Sequence, residues 1–508
     1  MSSCQTVRTE ANKVMDTLDK LGILAEAARF DAACTSSGSD RAPKAGALGA
    51  TTPSGICHSF TQDGRCITLL KVLMSNACSY DCAYCVNRRS ASVPRATFSP
   101  RELAELTVDF YKRNYIEGLF LSSGVLGTPD ATCERMIECL RILRDDLQFR
   151  GYVHAKVIPG TSADLIDAVG RLADRLSVNL ELPSSHSLQL LCPDKDAKGV
   201  LAPMGQIKRE RDGEEQRLLE ESPRGSRRLR ARAAIADKPL GPGADLAMDS
   251  LAVGDLAATA PPSATLRQAS SPRGAAPLFS NAAKLTATQH SRVATSRRTF
   301  APAGQSTQLI VGASDEDDNH ILQLSQSLYR KFDLKRVFFS AYMPELDDPR
   351  LPEPGTPVPL RREHRLYQAD WLMRYYAFSP DELVTPQEPW LDLDVDPKLA
   401  WALRHMDLFP VEVMDAPLDV LVRVPGIGVV GARRITYARR TKRLAFDDLR
   451  ALHITLKRAR HFITCSGQRD PLCPLDPELI RERVIQDAQA SSYAKARRER
   501  EDGQLRLF

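Results

Sequence analysis

Apolar residues alternate with polar ones, or run unbroken, in six short stretches: 67–73, 118–124, 152–158, 176–182, 307–313 and 335–342. Each reads as a strand. Between them the apolar period lengthens to that of helices, at 133–147, 162–172 and 319–332, with a shorter helical stretch after the fourth strand. Another helix opens at Ser99-Pro100-Arg101-Glu102, with Ser as cap, Pro in the first turn and Glu at the third position. Ahead of the strands, 5–32 carries a rough helical stripe through Val14, Met15, Leu18 and Leu21. Strands alternating with helices predict a parallel α/β sheet of six units with right-handed crossovers. Where such units curl into a barrel, the chemistry sits at the C-terminal ends of the strands.

The pattern fails between the fourth and fifth strands. Residues 222–299 are rich in Ala, Pro, Gly, Ser and Arg, with twelve basic residues against four acidic ones. That composition cannot bury enough surface to fold, and predicts a disordered insertion in a crossover. The rest divides into a lead-in (1–66), the interrupted barrel (67–345), a connector (346–395), a small all-α domain (396–483) and a charged tail (484–508). The connector carries Arg361-Arg-Glu-His-Arg365 and then Tyr367, Trp371, Tyr375 and Tyr376. A basic, aromatic surface of this kind suits either base stacking or packing between domains.

A length of 508 residues, 43% of them hydrophobic, allows two or three domains with their own cores. The net charge of +5 is too mild to announce nucleic-acid binding by itself. Twelve cysteines are unevenly spread, which favours a reducing compartment over a disulfide framework. The opening residues have no apolar signal core and no apolar run could span a bilayer, so the expected location is the cytoplasm, with no membrane partner.

The tightest cysteine group is Cys78-Ser-Tyr-Asp-Cys82-Ala-Tyr84-Cys85, directly after the first barrel strand. Three thiolates at this spacing can hold three corners of an iron–sulfur cube and leave the fourth iron open. A zinc site would want a fourth Cys or His close by, and Val86, Asn87, Arg88 and Arg89 offer none. The C-x3-C-x2-C spacing, with an aromatic before the third cysteine, resembles the radical S-adenosylmethionine (SAM) superfamily. The resemblance implies that the six units form a partial (βα)6 barrel, and that Cys78, Cys82 and Cys85 hold a 4Fe–4S cluster whose open iron binds SAM. One electron would cleave SAM to a 5′-deoxyadenosyl radical, which takes hydrogen from an inert C–H bond. It also implies cofactor contacts from Tyr84, from the turn Ser122-Ser123-Gly124, from Asn179 and Glu181 on the fourth strand, and from Ile310 and Gly312 on the fifth. Gln308 stands where a glycine is more usual. His154 and Lys156 share a face of the third strand and Arg336 lies on the sixth, so these are the candidate catalytic residues. Cys34, Cys57 and Cys66 precede the main loop and are candidates for an auxiliary cluster, or simply reduced thiols.

Near the C-terminus, Val424-Pro-Gly426-Ile427-Gly428-Val429 and Gly431-Ala-Arg433-Arg434 follow a short helix at 418–422. This resembles a helix-hairpin-helix, which implies that backbone N–H groups around Gly426, Ile427 and Gly428 bind a DNA phosphate without reading sequence. Arg433, Arg434, Arg439, Arg440 and Lys442 add positive charge. A second unit over 446–459 looks like a degenerate repeat. The chain ends Gln504-Leu505-Arg506-Leu507-Phe508, which resembles peptides that dock bacterial repair proteins on the sliding clamp. Together these parts resemble the radical SAM family associated with DNA modification and repair. That implies DNA as partner, a uracil-DNA-glycosylase-like protein, the sliding clamp, and an electron donor of flavodoxin or ferredoxin type. The same chemistry on RNA, and a DNA-binding protein whose cluster is structural or redox-sensing, are the alternatives.

Overall fold

The computed structural model describes residues 15–28, 56–60, 66–221 and 298–490. Residues 222–297 of the expected insertion, Cys34 and the pentapeptide 504–508 lie outside them, as do the side chains of Cys57 and Cys66. The expectations placed on those residues therefore have no structural counterpart here.

Among the described residues seven strands form one sheet in chain order: β1 (Ile56–Phe60), β2 (Cys66–Leu73), β3 (Gly118–Ser122), β4 (Tyr152–Lys156), β5 (Arg175–Ser177), β6 (Gln305–Val311) and β7 (Arg336–Ala341). β1 pairs antiparallel with β2, and the six strands β2–β7 are all parallel and curl into a half-barrel. The period of two sorts the side chains. Leu70, Leu119 and Val153 are in register on the outer face and buried in the main core. The next row, Lys71, Phe120, His154 and Arg175, is in register on the other face. Apolar outside and mixed polar inside is the pattern of a sheet whose helices cover its convex side.

Those helices are α2 (Pro100–Lys112), α3 (Pro129–Arg141), α4 (Ala163–Leu172), α5 (Ser185–Leu191), α6 (Ala197–Glu221) and α7 (Asp318–Phe332), with α1 (Thr17–Ala27) against β2. The capping box at Ser99 is formed: Ser99 Oγ accepts the Glu102 N–H at 3.2 Å, and Glu102 Oε2 accepts the Ser99 N–H at 2.7 Å. Three boundaries differ from the sequence expectation. α3 starts earlier, at the Thr128 cap, and ends in a π-turn over Ile142–Asp146. The helical stretch after the fourth strand is long, because α6 runs on through Pro203. The fourth strand is short: past Ser177 the backbone leaves the ladder and Glu181 takes a left-handed φ of 67° before bridging to Leu309.

Residues 346–395 contain α8 (Leu360–Tyr375), which runs antiparallel to β7. At one end Glu363 accepts the Ala341 N–H at 2.6 Å, and at the other Arg374 donates to the Lys335 carbonyl at 2.8 Å. Beyond it come α9 (Pro380–Leu383), α10 (Pro397–Arg404), α11 (Leu418–Leu421), α12 (Val429–Ala438), α13 (Phe446–Ala451), α14 (Leu456–Ala459) and α15 (Pro477–Ala490). A two-residue parallel pair, β8 (Val411–Glu412) with β9 (Ile463–Thr464), ties this module together. Its core of Leu421, Val424, Ile427, Ala432, Ile435 and Leu449 is continuous with the shell around the barrel. Among the described residues no helix is long and apolar enough to cross a membrane.

Candidate active site

A cavity of about 180 Å3 opens at the C-terminal ends of the parallel strands. Cys78, Cys82, Tyr84 and Cys85 line one side; Ser123, Gly124, Lys156, Asn179, Glu181, Gln308, Ile310 and Ala341 are among the residues that line the rest. Residues from five successive strands or their exits thus meet the cysteine loop. Glu181 lines the cavity from a left-handed backbone, a conformation that non-glycine residues adopt rarely and at a cost.

The loop is held from three sides. Arg95 donates to the carbonyls of Asn76, Asn87, Arg88 and Ala91, so one guanidinium gathers both ends of the loop. The turn after β3 supports it from below: Gly124 N–H donates to the Ser75 carbonyl, Ser79 N–H to the Val125 carbonyl, and Val125 N–H to Cys78 Sγ at 3.3 Å. A Cβ on Gly124 would lie 2.8 Å from the Ala77 oxygen and 3.2 Å from Cys78 Cβ, so only glycine fits. From the third side the segment after α5 closes in. Ala83 N–H donates to the Leu191 carbonyl and Asp81 N–H to Asp194 Oδ2, both at 2.7 Å.

That same segment supplies two groups the sequence did not point to, Cys192 and Lys195. Lys195 Nζ donates to the Tyr84 hydroxyl at 3.3 Å and stands 3.9 Å from Glu181 Oε1; Lys156 Nζ is 3.7 Å from the same oxygen. Burial pulls the Lys195 ammonium down, but the charges of Cys82 and Glu181 outweigh it and hold it above its ordinary value. A hydrogen bond from buried Cys192 holds the Cys82 thiol below the ordinary range, whereas burial pushes Cys85 up to about 12. Burial also pushes the Tyr84 hydroxyl well above its usual value.

Of the residues singled out in the sequence, Cys78, Tyr84, Cys82, Cys85, Ser123, Gly124, Lys156, Asn179, Glu181 and Ile310 come together here. Asn179 is engaged by the chain itself, donating to Gln308 Oε1 at 3.0 Å. Others do not line the cavity. Ser122 is buried one step back, its carbonyl accepting the Met74 N–H. Gly312 turns away with φ 85° and packs on Pro359. His154 lies a layer deeper, edge-on to Phe120 at 4.7 Å. Arg336 sits over the rings of Phe338 and Tyr367. The inward face of a strand is shared by several layers, and only the last layer reaches the mouth.

At the C-terminal hairpin, Arg433 and Arg434 are exposed on α12. Ile427 is 1% exposed and its carbonyl accepts from buried Lys398 at 2.6 Å, so its side chain is core. Arg439 is also structural, donating to the carbonyls of Val413 and Ala416.

No family model and no curated protein matches the chain. Among solved structures it is similar to the FeFe-hydrogenase maturase HydG from Carboxydothermus hydrogenoformans, at 11% identity and a TM-score of 0.33, over 59% of this chain and 50% of that one. A second HydG structure matches at 12% identity and a TM-score of 0.32, over 59% of this chain and 48% of that one. The chain thus spans about half the length of the structures it matches, and the functional reading rests on its own residues.

Proposed function

We propose that this chain is a radical SAM enzyme acting on DNA, with a 4Fe–4S cluster on Cys78, Cys82 and Cys85 and SAM as cofactors. The observation that carries the reading is the placement of all three thiols on one cavity with Gly124, Asn179, Glu181 and Ile310. The donor set fits the group. Three soft thiolates suit iron and sulfide, and the Val125 N–H already donates to one sulfur. Among the described residues no three Cys, His, Asp or Glu side chains converge on a point that a single metal ion could occupy; a cube asks instead for each thiolate on its own iron. When bound, the cluster and SAM supply one-electron chemistry able to break an inert C–H bond.

The chain's own residues would bind and orient. The left-handed Glu181 turns its carboxylate toward the cavity, between Lys156 and Lys195, where it can accept from the hydroxyls of a ribose. Ile310 offers an apolar wall to a flat base, and the main chain at Ser123-Gly124 approaches closely because no Cβ intervenes. Tyr84, fixed by Lys195, packs beside Cys85 and helps to exclude water from it.

The hairpin between α11 and α12 supports DNA as the partner. Gly426 makes the tight turn with φ 86°, α12 begins at Val429, and exposed Arg433 and Arg434 follow. A helix start with adjacent cations attracts phosphate without reading sequence. The same reading includes a uracil-DNA-glycosylase-like protein, a flavodoxin- or ferredoxin-type electron donor, and the sliding clamp through Gln504, Leu505, Leu507 and Phe508.

The test is anaerobic. The protein is reconstituted with iron and sulfide, reduced, given SAM, and 5′-deoxyadenosine is quantified with and without duplex DNA. Production that rises with DNA is expected. Cys82→Ala should lose bound iron and all production while still binding DNA. No production from protein with an intact cluster would favour a structural or redox-sensing cluster, and tighter binding of a matched RNA duplex at equal salt would move the substrate to RNA.

A further inference from the structure

Helix α8 turns one stripe of side chains outward along its length. Arg361, His364, Gln368, Trp371 and Tyr375 are all exposed, at alternating steps of three and four residues that keep them on one face. Both carboxylates of the helix are used elsewhere. Glu363 accepts the Ala341 N–H, and Asp370, 2% exposed, accepts from Tyr329 and Arg374. The outward face therefore carries a cation and two large rings and no acid of its own; Gln368 Oε1 accepts from Arg365 at 2.8 Å, and Arg361 lies 3.7 Å from exposed Asp394.

The two rings form a pair. Trp371 is 52% exposed and Tyr375 49%, with centroids 4.3 Å apart. Arg374 lies 5.0 Å from the Tyr375 ring and donates to its hydroxyl at 3.0 Å, which stiffens the outer ring. The ends of the stripe matter as much as its content. Its start meets the barrel mouth, where Pro359 packs on Gly312 and Glu363 holds the end of β7. Its end meets the hairpin: the Tyr376 hydroxyl is 3.2 Å from where a Cβ on Gly428 would be, and Lys398 bridges the Tyr376 ring and the Ile427 carbonyl. Sixteen residues of helix put these ends about 24 Å apart. A phosphate held at the hairpin is thus not the phosphate of a nucleotide in the cavity.

We infer that the outward face of α8 carries an unpaired stretch of DNA from the hairpin toward the barrel mouth, with bases stacked on Trp371 and Tyr375. This rests on the reading of the chain as DNA-binding and adds the form of the substrate: single-stranded beside duplex. Stacking on exposed rings tolerates any base, and a base that is to react inside a closed cavity must leave the duplex stack in any case.

The experiment measures binding of the full-length protein, by fluorescence anisotropy at fixed salt, to a blunt duplex and to the same duplex with a short oligothymidine overhang. The overhang should tighten binding about tenfold, the effect of one or two stacked bases. Trp371→Ala with Tyr375→Ala should abolish that gain and leave blunt-duplex affinity unchanged, whereas Trp371→Phe with Tyr375→Phe should keep most of it. Both side chains are half exposed, so circular dichroism should show all variants folded. An overhang that adds nothing, or an alanine double variant that still shows the gain, overturns the inference and leaves the face to a protein partner. Failure of the wild-type protein to bind either DNA, by contrast, overturns the DNA reading beneath it.

Discussion

Gly124 and Arg95 show how much of the candidate site is decided by single residues that are not themselves ligands. Arg95 holds four carbonyls around the cysteine loop, and Gly124 lets the turn after β3 lie directly under Cys78. Gly124→Ala should push the loop off its support. The added methyl meets backbone at 2.8 Å, which cannot rotate away. A cost of about 1–3 kcal/mol is expected from overpacking of this kind, with iron incorporation falling well below that of the unaltered protein while far-ultraviolet circular dichroism is kept. Normal iron content in Gly124→Ala would mean that the turn moves freely and that the loop does not depend on it.

At the scale of the element, the hairpin between α11 and α12 is braced from within. Lys398 is 8% exposed and donates to the Ile427 carbonyl, and burial pulls its ammonium down to about 7 from an ordinary 10.5. Below pH 7 both the folded and the unfolded chain hold the proton, so the folded state carries the full burial cost. Between pH 7 and about 10 the unfolded chain binds more protons than the folded one, and stability should rise with pH. Lys398→Met should flatten that rise in the thermal midpoint. An unchanged slope would mean that Lys398 keeps its ordinary affinity for the proton. Gly426 braces the hairpin from the other side. A Cβ there would lie 2.7 Å from the Thr455 carbonyl and 3.0 Å from the Ala459 nitrogen, so the second helical pair packs on the first through this glycine.

At the scale of the whole molecule, α8 separates the two proposed sites. The cavity lies at its N-terminal end and the hairpin at its C-terminal end, about 24 Å away. Gly428→Val should meet the Tyr376 hydroxyl and disturb the start of α12. On the proposed function, DNA binding should weaken for every sequence alike, because a contact to phosphate reads no sequence. DNA-independent 5′-deoxyadenosine production should not change. A variant that loses both together would show that the hairpin and the cavity are coupled through the core they share.

The chain's local chemistry determined its repeating units. The period of two brought out the six parallel strands, the Ser99 box marked the start of α2, and the spacing of Cys78, Cys82 and Cys85 marked the loop, because each signal acts over a few neighbouring residues. Tertiary structure decided which residues meet. Lys195 is 111 positions from the Tyr84 it touches and sits in a segment with no periodicity to single it out. Glu181 was legible as a polar residue on an inward face, but its left-handed backbone and its bridge to Leu309, far along the chain, were not. His154 and Lys156 share that inward periodicity on β4, yet only Lys156 reaches the cavity, since depth along a strand is set by the register of its neighbours. Gly312 was expected at the cofactor and is taken up by Pro359, which a helix beyond the barrel brings to it. Local preferences choose the elements, and the curl of the sheet and the packing of α8 choose their company.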